Sequence, residues 1–196
     1  DDVCPVIEEI EEKAVYLTPH LLEPSTDDNE HEVMIHGWIN TGFSAFNRKH
    51  EQTQDILEWI IDRISRRAFL APHLGLSGDQ TWVSALPVLF HKAVAISTYD
   101  GLNVAYWNID KRLMKGSLDS GILVNDVPLV MFHFSGFSES NPQFLSKHTG
   151  IQLEAGSLLD ELCQNYLSEI KSVESLKIDI KGIEARVRAR IIVLNP

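Results

Sequence analysis

Three short segments of this sequence mix polar side chains with glycine in apolar surroundings, the combination from which ligand sites are built. Ile39-Asn40-Thr41-Gly42-Phe43 sets an amide beside a glycine in an otherwise apolar strand. A glycine there lets a ligand or a second backbone approach closely, though an asparagine satisfying its own backbone at a bulge accounts for the same residues. Gly78-Asp79-Gln80-Thr81-Trp82 places a carboxylate and an amide at the first turn of a helix, where the macrodipole favours negative charge. Capping alone explains that pair. Met131-Phe132-His133-Phe134-Ser135-Gly136-Phe137 ends an apolar strand on a histidine, where α/β sheets form their pockets, and Gly136 leaves room for a phosphate. The alternative for His133 is a hydrogen-bonded core imidazole. Lys147-His148 would add positive charge to the same mouth.

Other arrangements carry no chemistry. His31 and His36 resemble a zinc-protease helix but have one residue too many between Glu32 and the second histidine, which turns the imidazoles onto different faces. No glycine-rich phosphate loop precedes a helix, and no serine sits in a nucleophile elbow. Asp27-Asp28 reads as a solvated turn within the polar loop Pro24–Glu32.

The elements that must position these groups follow from periodicity. Val6–Lys13 reads as a short acidic helix and Ala14–Thr18 as a small apolar strand ended by Pro19. Trp38–Phe46 reads as a strand interrupted by a turn or bulge at Asn40-Thr41-Gly42. His50–Phe69 is a helix with Ile56, Leu57, Ile60, Ile61 and Ile64 at helical spacing. A second helix begins at Ser77, with Ser77 and Gln80 in the pattern of a capping box and Pro87 limiting its length. Ala93–Ser97 and Asn103–Asn108 read as strands, Gly116–Asp126 as a turn-rich stretch, and Pro128–Phe134 as a buried strand. Ser157–Val173 is the best-marked helix, its stripe running through Leu158, Leu159, Leu162, Cys163, Tyr166, Leu167, Ile170 and Val173, with Ser157 and Asp160 at its start. The pattern predicts an α/β fold, a mixed sheet flanked by helices, over residues 1–175. Residues 176–196 form a basic tail, an edge strand or a partly ordered end.

The chain has 196 residues, 44% of them apolar and 23% charged, as expected of a globular domain or a large piece of one. A formal net charge of −11 argues against nucleic acid as a partner, while leaving a local pocket free to take a phosphorylated ligand. Cys4 and Cys163 match no zinc spacing and read as buried thiols in a reducing compartment, the cytoplasm. No apolar run approaches membrane-spanning length. The start at Asp1, without methionine, suggests a processed or truncated chain.

Taken in order, Asn40-Thr41-Gly42, Asp79-Gln80 and His133-Phe134-Ser135-Gly136 resemble the catalytic domain of glycogenin-type and lipopolysaccharide galactosyltransferase-type enzymes. Leu17-Thr18-Pro19-His20, Asn103–Asn108, Phe132–Phe137 and Leu145-Ser146-Lys147-His148 look closer still to a group of uncharacterised bacterial glycosyltransferases. The resemblance spans Ala14 to Thr149. It implies the C-terminal part of a single Rossmann-like nucleotide-sugar-transferase domain, whose partner is the N-terminal half of the same protein. It also implies transfer of a sugar from a nucleotide-sugar donor to a saccharide or glycoconjugate acceptor, dependent on Mn2+ or Mg2+, with retention of configuration if the glycogenin likeness holds.

The roles implied residue by residue are these. His133 would be a metal ligand and Gly136 would admit the diphosphate. Asn40, with Thr41 and Gly42, would touch the donor sugar or the acceptor, and Asp79 and Gln80 would line the donor sugar and the reacting face. Two departures stand out. The aspartate-x-aspartate metal motif of such enzymes would lie upstream of Val3. The lysine that follows His-x-x-Gly closely is absent, Glu139 and Asn141 standing there, with Lys147 as the substitute. Two other readings compete: a non-catalytic carbohydrate-binding or scaffold module using Trp38, Trp82, Tyr106 and Trp107 as stacking faces, and a fragment inactive without its missing half.

Overall fold

The strand Val15–Pro19 (β1) is buried along nearly its whole length, and the rest of the architecture is arranged around it. The computed structural model describes residue 10 and residues 12–174. On one edge β1 pairs antiparallel with Ile39–Phe46 (β2), and on the other it pairs parallel with Val94–Ile96 (β5). Between them lie the two-residue strands Leu70–Ala71 (β3) and Leu76–Ser77 (β4), paired with each other. The predicted bulge in β2 is present. Leu17 faces Ser44 but Thr18 faces Asn40, so residues 41–43 are looped out of the ladder. The Thr18 hydroxyl spans the gap, 3.2 Å from the Asn40 carbonyl oxygen and 3.0 Å from that of Phe43.

Strand alternation sends Val15 and Leu17 to one face and Tyr16 to the other. The first face packs under the helix Thr53–Arg67 (α2), where Ile56 and Ile60 join Ile39, Val83, Leu86 and Val94 in one core. Tyr16 and Leu102 anchor a second cluster with Phe43, Tyr99, Val130 and Met131. Both layers belong to a mixed α/β arrangement. The α2 stripe is narrower than its sequence suggests, since Ile61 is exposed. The predicted buried thiol Cys163 is found, with burial pushing its pKa up to about 12. The helix expected over Val6–Lys13, the tail and Cys4 fall largely or wholly outside the described residues.

Several elements differ from expectation. Residues 24–32 are not a loop: Asp27–His36 forms a helix (α1), capped by Thr26, whose hydroxyl accepts from the Asn29 amide. Asp27, Asp28 and Glu30 occupy its first turn, the favourable end of the macrodipole. Only Val33 of this helix is buried, so no apolar stripe announces it. Ser77 makes no capping box. Gly78 stands at the N-cap of Asp79–Val83 (α3), and the Ser77 hydroxyl donates to the Ile35 carbonyl instead. Pro87 lies in the first turn of a further short helix, Leu86–Leu89 (α4), rather than ending one.

Residues 103–108 are a buried loop instead of a strand. Asn103 is left-handed at φ 55°, a conformation that breaks extended pairing, and the Asn108 amide accepts from Ala105 N and donates to the Asn103 and His20 carbonyls. Gly116–Asp126 forms regular strands, Met114–Ser117 (β6) and Gly121–Val124 (β7). These continue through the Asn125-Asp126 turn into Val127–Pro128 (β8). Both turn residues have positive φ, as a two-residue hairpin requires. The expected strand 128–134 is half-exposed: Pro128 ends β8, paired with Leu123, and beyond it a single bridge joins Phe132 to Val104. Leu158–Glu174 (α5) starts where predicted, with the Ser157 hydroxyl accepting from Asp160 N, and it lies against β6. Cys163 and Leu167 are its buried residues, Tyr166 stacks on Phe134, and Ile170 and Val173 face outward.

Candidate functional site

The β2 bulge turns the Asn40 side chain into the centre of a hydrogen-bonded cluster drawn from six separate parts of the chain. Asn40 is 4% exposed. Its Oδ1 accepts from Gly42 N at 2.8 Å and from Asn103 Nδ2 at 3.1 Å. Its Nδ2 donates to Gln80 Oε1 at 3.0 Å and lies 2.9 Å from His20 Nε2. Gln80 Oε1 also accepts from Thr41 N, while Gln80 Nε2 donates to the His36 carbonyl. Asn103 Oδ1 lies 3.1 Å from His133 Nδ1. Both lone-pair positions and both donor hydrogens of Asn40 are therefore used within the protein.

Through His20, Asn40 and Gln80 this cluster lines a cleft of about 770 Å³, whereas Thr41, Gly42, Asn103 and His133 are not among the lining residues. Helix α1 contributes Asp28, Glu32 and His36 to the lining of this cleft, and Tyr106, Asp110, Ser135 and His148 line it as well. Trp107, 6% exposed, stands between two imidazoles, with the His20 and His133 rings each 5.1 Å away edge-on. Burial pushes the His20 pKa down to about 4, against the pull of the nearby Gly37 carbonyl, so this ring is neutral at physiological pH. Burial also lowers the pKa values of His133 and His148. Three carboxylates and no lysine or arginine are found among the described residues lining the cleft. Arg112, in a neighbouring hollow, is bonded to Asp100, which takes up its charge.

Of the residues singled out in the sequence, Asn40, Thr41, Gly42, Gln80 and His133 come together here. Gly42 is tied to His133 sterically: a Cβ at position 42 would lie 2.3 Å from His133 Nδ1. Gly136, at φ 72°, sits against Ser146 and His148, and a Cβ there would lie 2.5 Å from Ser146 Oγ. Asp79 is exposed and does not line the cleft. Lys147 is also exposed and outside the lining, while its charge acts on the neighbouring His148, which does line the cleft. The Lys147 backbone amide donates to the Gly136 carbonyl. Trp38 and Trp82 lie elsewhere, Trp82 against Trp59, leaving Tyr106 and Trp107 as the aromatic faces.

With this geometry in view, two Bacillus subtilis (strain 168) proteins are similar to the chain. The uncharacterized protein YfnF is 29% identical over 140 residues, covering 69% of this chain and 45% of that protein. The uncharacterized protein YfnD is 30% identical over 129 residues, 64% of this chain and 39% of that one. The chain spans less than half the length of these relatives. No protein-family model matches it. No solved structure matches it significantly.

Sequence reasoning did not select His20, Asn103 or Asn108 as site residues. The available signal was polarity inside apolar runs: two asparagines five positions apart, and a histidine just after a buried strand. The acidic wall was missed with α1 itself. Among the described residues no three His, Cys, Asp or Glu side chains stand together so as to hold a metal ion. No helix among them is long and apolar enough to cross a membrane.

Proposed function

We propose that this chain is the C-terminal part of a nucleotide-sugar-dependent glycosyltransferase domain of Rossmann-like type, working with Mn2+ or Mg2+. The observation that carries the reading is the convergence of Asn40-Thr41-Gly42, Gln80 and His133 into one hydrogen-bonded cluster beside the cleft. The resemblance gives those same residues to one site. Gly42 leaves the space that His133 fills, and Gln80 faces the cleft from the first turn of α3. Asn40 organises the site from behind, since its hydrogen bonds are all taken. The diphosphate contact is assigned to the Gly136 region, and Asp79 is left in the first turn of α3, where its carboxylate meets the favourable end of the helix dipole.

The residues present fit one nitrogen ligand: His133 has Nδ1 held by Asn103 and no partner on Nε2 among the described residues. The oxygen ligands would come from the aspartates that the resemblance places upstream. The ion would supply Lewis-acid stabilisation of the departing diphosphate. A cleft lined by carboxylates without lysine or arginine meets a diphosphate poorly unless such a cation accompanies it. Around the sugar, Tyr106 and Trp107 offer apolar faces and the α1 carboxylates offer acceptors for hydroxyl groups. The outcome that the glycogenin likeness favours is retention.

The test is His133→Ala in the full-length protein, assayed with a panel of nucleotide sugars and manganese. Activity is expected to fall about a hundredfold or more, as for loss of a ligand together with the hydrogen bond that orients it, with a much smaller change in melting temperature. Equal turnover and manganese binding by the variant would remove His133 as a ligand. A second reading, a sugar-binding module, is favoured by Tyr106 and Trp107 in the cleft wall. It requires saccharide binding that needs neither manganese nor His133.

A further inference from the structure

The hydrogen-bonded cluster contains more chemical information than its distances, because it is anchored at each end on backbone groups whose roles are fixed. Gly42 N–H can only donate, so the Asn40 atom it meets is Oδ1. The Asn103 atom on that same oxygen must then donate and is Nδ2. This leaves Oδ1 of Asn103 facing His133, and a carbonyl oxygen can only accept. A second anchor agrees with the first. Thr41 N–H fixes Gln80 Oε1 as an acceptor and the His36 carbonyl fixes Gln80 Nε2 as a donor, so the Asn40 atom on Gln80 is the donor Nδ2. Neither amide can be flipped without setting like against like.

We infer that Asn103 is a positioning residue that holds His133 in the Nδ1–H tautomer, turning the lone pair of Nε2 away from the cluster as an open base or metal ligand. Asn103 is fully buried and its left-handed backbone is held by Asn108, so the acceptor has little freedom to swing away. Gly42 and Trp107 confine the imidazole ring from two other directions. A metal-ligating histidine whose second nitrogen donates to an oxygen has its ring orientation and tautomer set before the ion arrives. The use of Nε2 as a ligand rests on the proposed function; the tautomer does not.

The experiment is long-range 1H–15N correlation of the imidazole nitrogens in 15N-histidine-labelled protein at pH 8, free of metal and sugar, with the His133 signals assigned by comparison with His133→Gln. The expected result is a pyrrole-type signal for Nδ1 and a pyridine-type signal for Nε2. The reverse assignment in the parent protein overturns the inference without any need for a variant. Asn103→Asp, which keeps an oxygen for Nδ1–H, is expected to retain the tautomer. Asn103→Gly, which suits the left-handed backbone but removes the acceptor, is expected to shift His133 towards a mixture. A folded Asn103→Gly with the parent's tautomer would show that Asn103 does not set it. If the tautomer is as expected but manganese and nucleotide sugars leave the protein unaffected, the proposed function fails and the positioning role stands.

Discussion

A methyl group added at Gly42 would fall 2.3 Å from His133 Nδ1, 2.5 Å from its Cε1 and 2.6 Å from Asn40 Oδ1. None of these atoms can yield cheaply. The ring is packed on Trp107 and the Asn40 amide is held at every hydrogen-bonding position. Gly42→Ala is therefore expected to displace His133, costing about 1–3 kcal/mol of stability for the overpacking. Under the proposed function, its loss of nucleotide-sugar turnover should exceed what that destabilisation explains. Gly150→Ala is the control, because a Cβ there meets nothing within 4 Å. Urea unfolding and turnover on the same preparations separate the two. If Gly42→Ala retained parental activity, His133 would have to be remote from the reaction. The residue types at this site were legible in the sequence because glycine and asparagine inside an apolar strand ask for an explanation. Their satisfaction by one another was not legible, since a hydrogen-bond partner 63 positions away, as Asn103 is from Asn40, leaves no periodic trace.

Elements with a one-sided apolar pattern form where the sequence places them, as α2 and α5 show, and those without one do not. Helix α1 is held by its cap, its acidic first turn and a single buried valine, so hydrophobic periodicity cannot detect it. The opposite error occurs at 103–108 and 128–134. Both are apolar enough for buried strands, yet the first closes its backbone hydrogen bonds on Asn108 and the second lies half-exposed beside it. Apolar composition reports burial, and pairing depends on what lies alongside. Along α5 the stripe is wider in sequence than in burial. Leu167 is 8% exposed whereas Val173 is 53% exposed. Leu167→Ala is expected to destabilise by about 2–5 kcal/mol and Val173→Ala by less than about 0.5 kcal/mol. Chemical denaturation decides it, and similar small losses for both would detach this helix from the core.

For the whole molecule, the cluster makes stability depend on pH through a neutral histidine. Nε2 of His20 faces Nδ2 of Asn40, an amide nitrogen that can only donate and gives its other hydrogen to Gln80, so the imidazole nitrogen must accept. Protonating it would set N–H against N–H around a ring that is only 6% exposed. Burial, above all, holds the folded-state pKa at about 4, below the ordinary 6.5. The unfolded chain then binds more protons than the folded one between those two values. Stability from this group is complete above about pH 6.5 and is lost as the pH falls towards 4, by about 3 kcal/mol over the whole window. The lowered pKa values of His133 and His148 act in the same direction. His20→Gln offers the Asn40 amide an oxygen that does not titrate in this range. Between pH 7.5 and 4.5 the parent is expected to lose about 2–3 kcal/mol more unfolding free energy than His20→Gln, read from urea curves at each pH. Parallel losses in the two proteins would mean that His20 is protonated in the fold without harm. The hydrogen-bonded cluster would then not be what couples the cleft wall to the stability of the sheet.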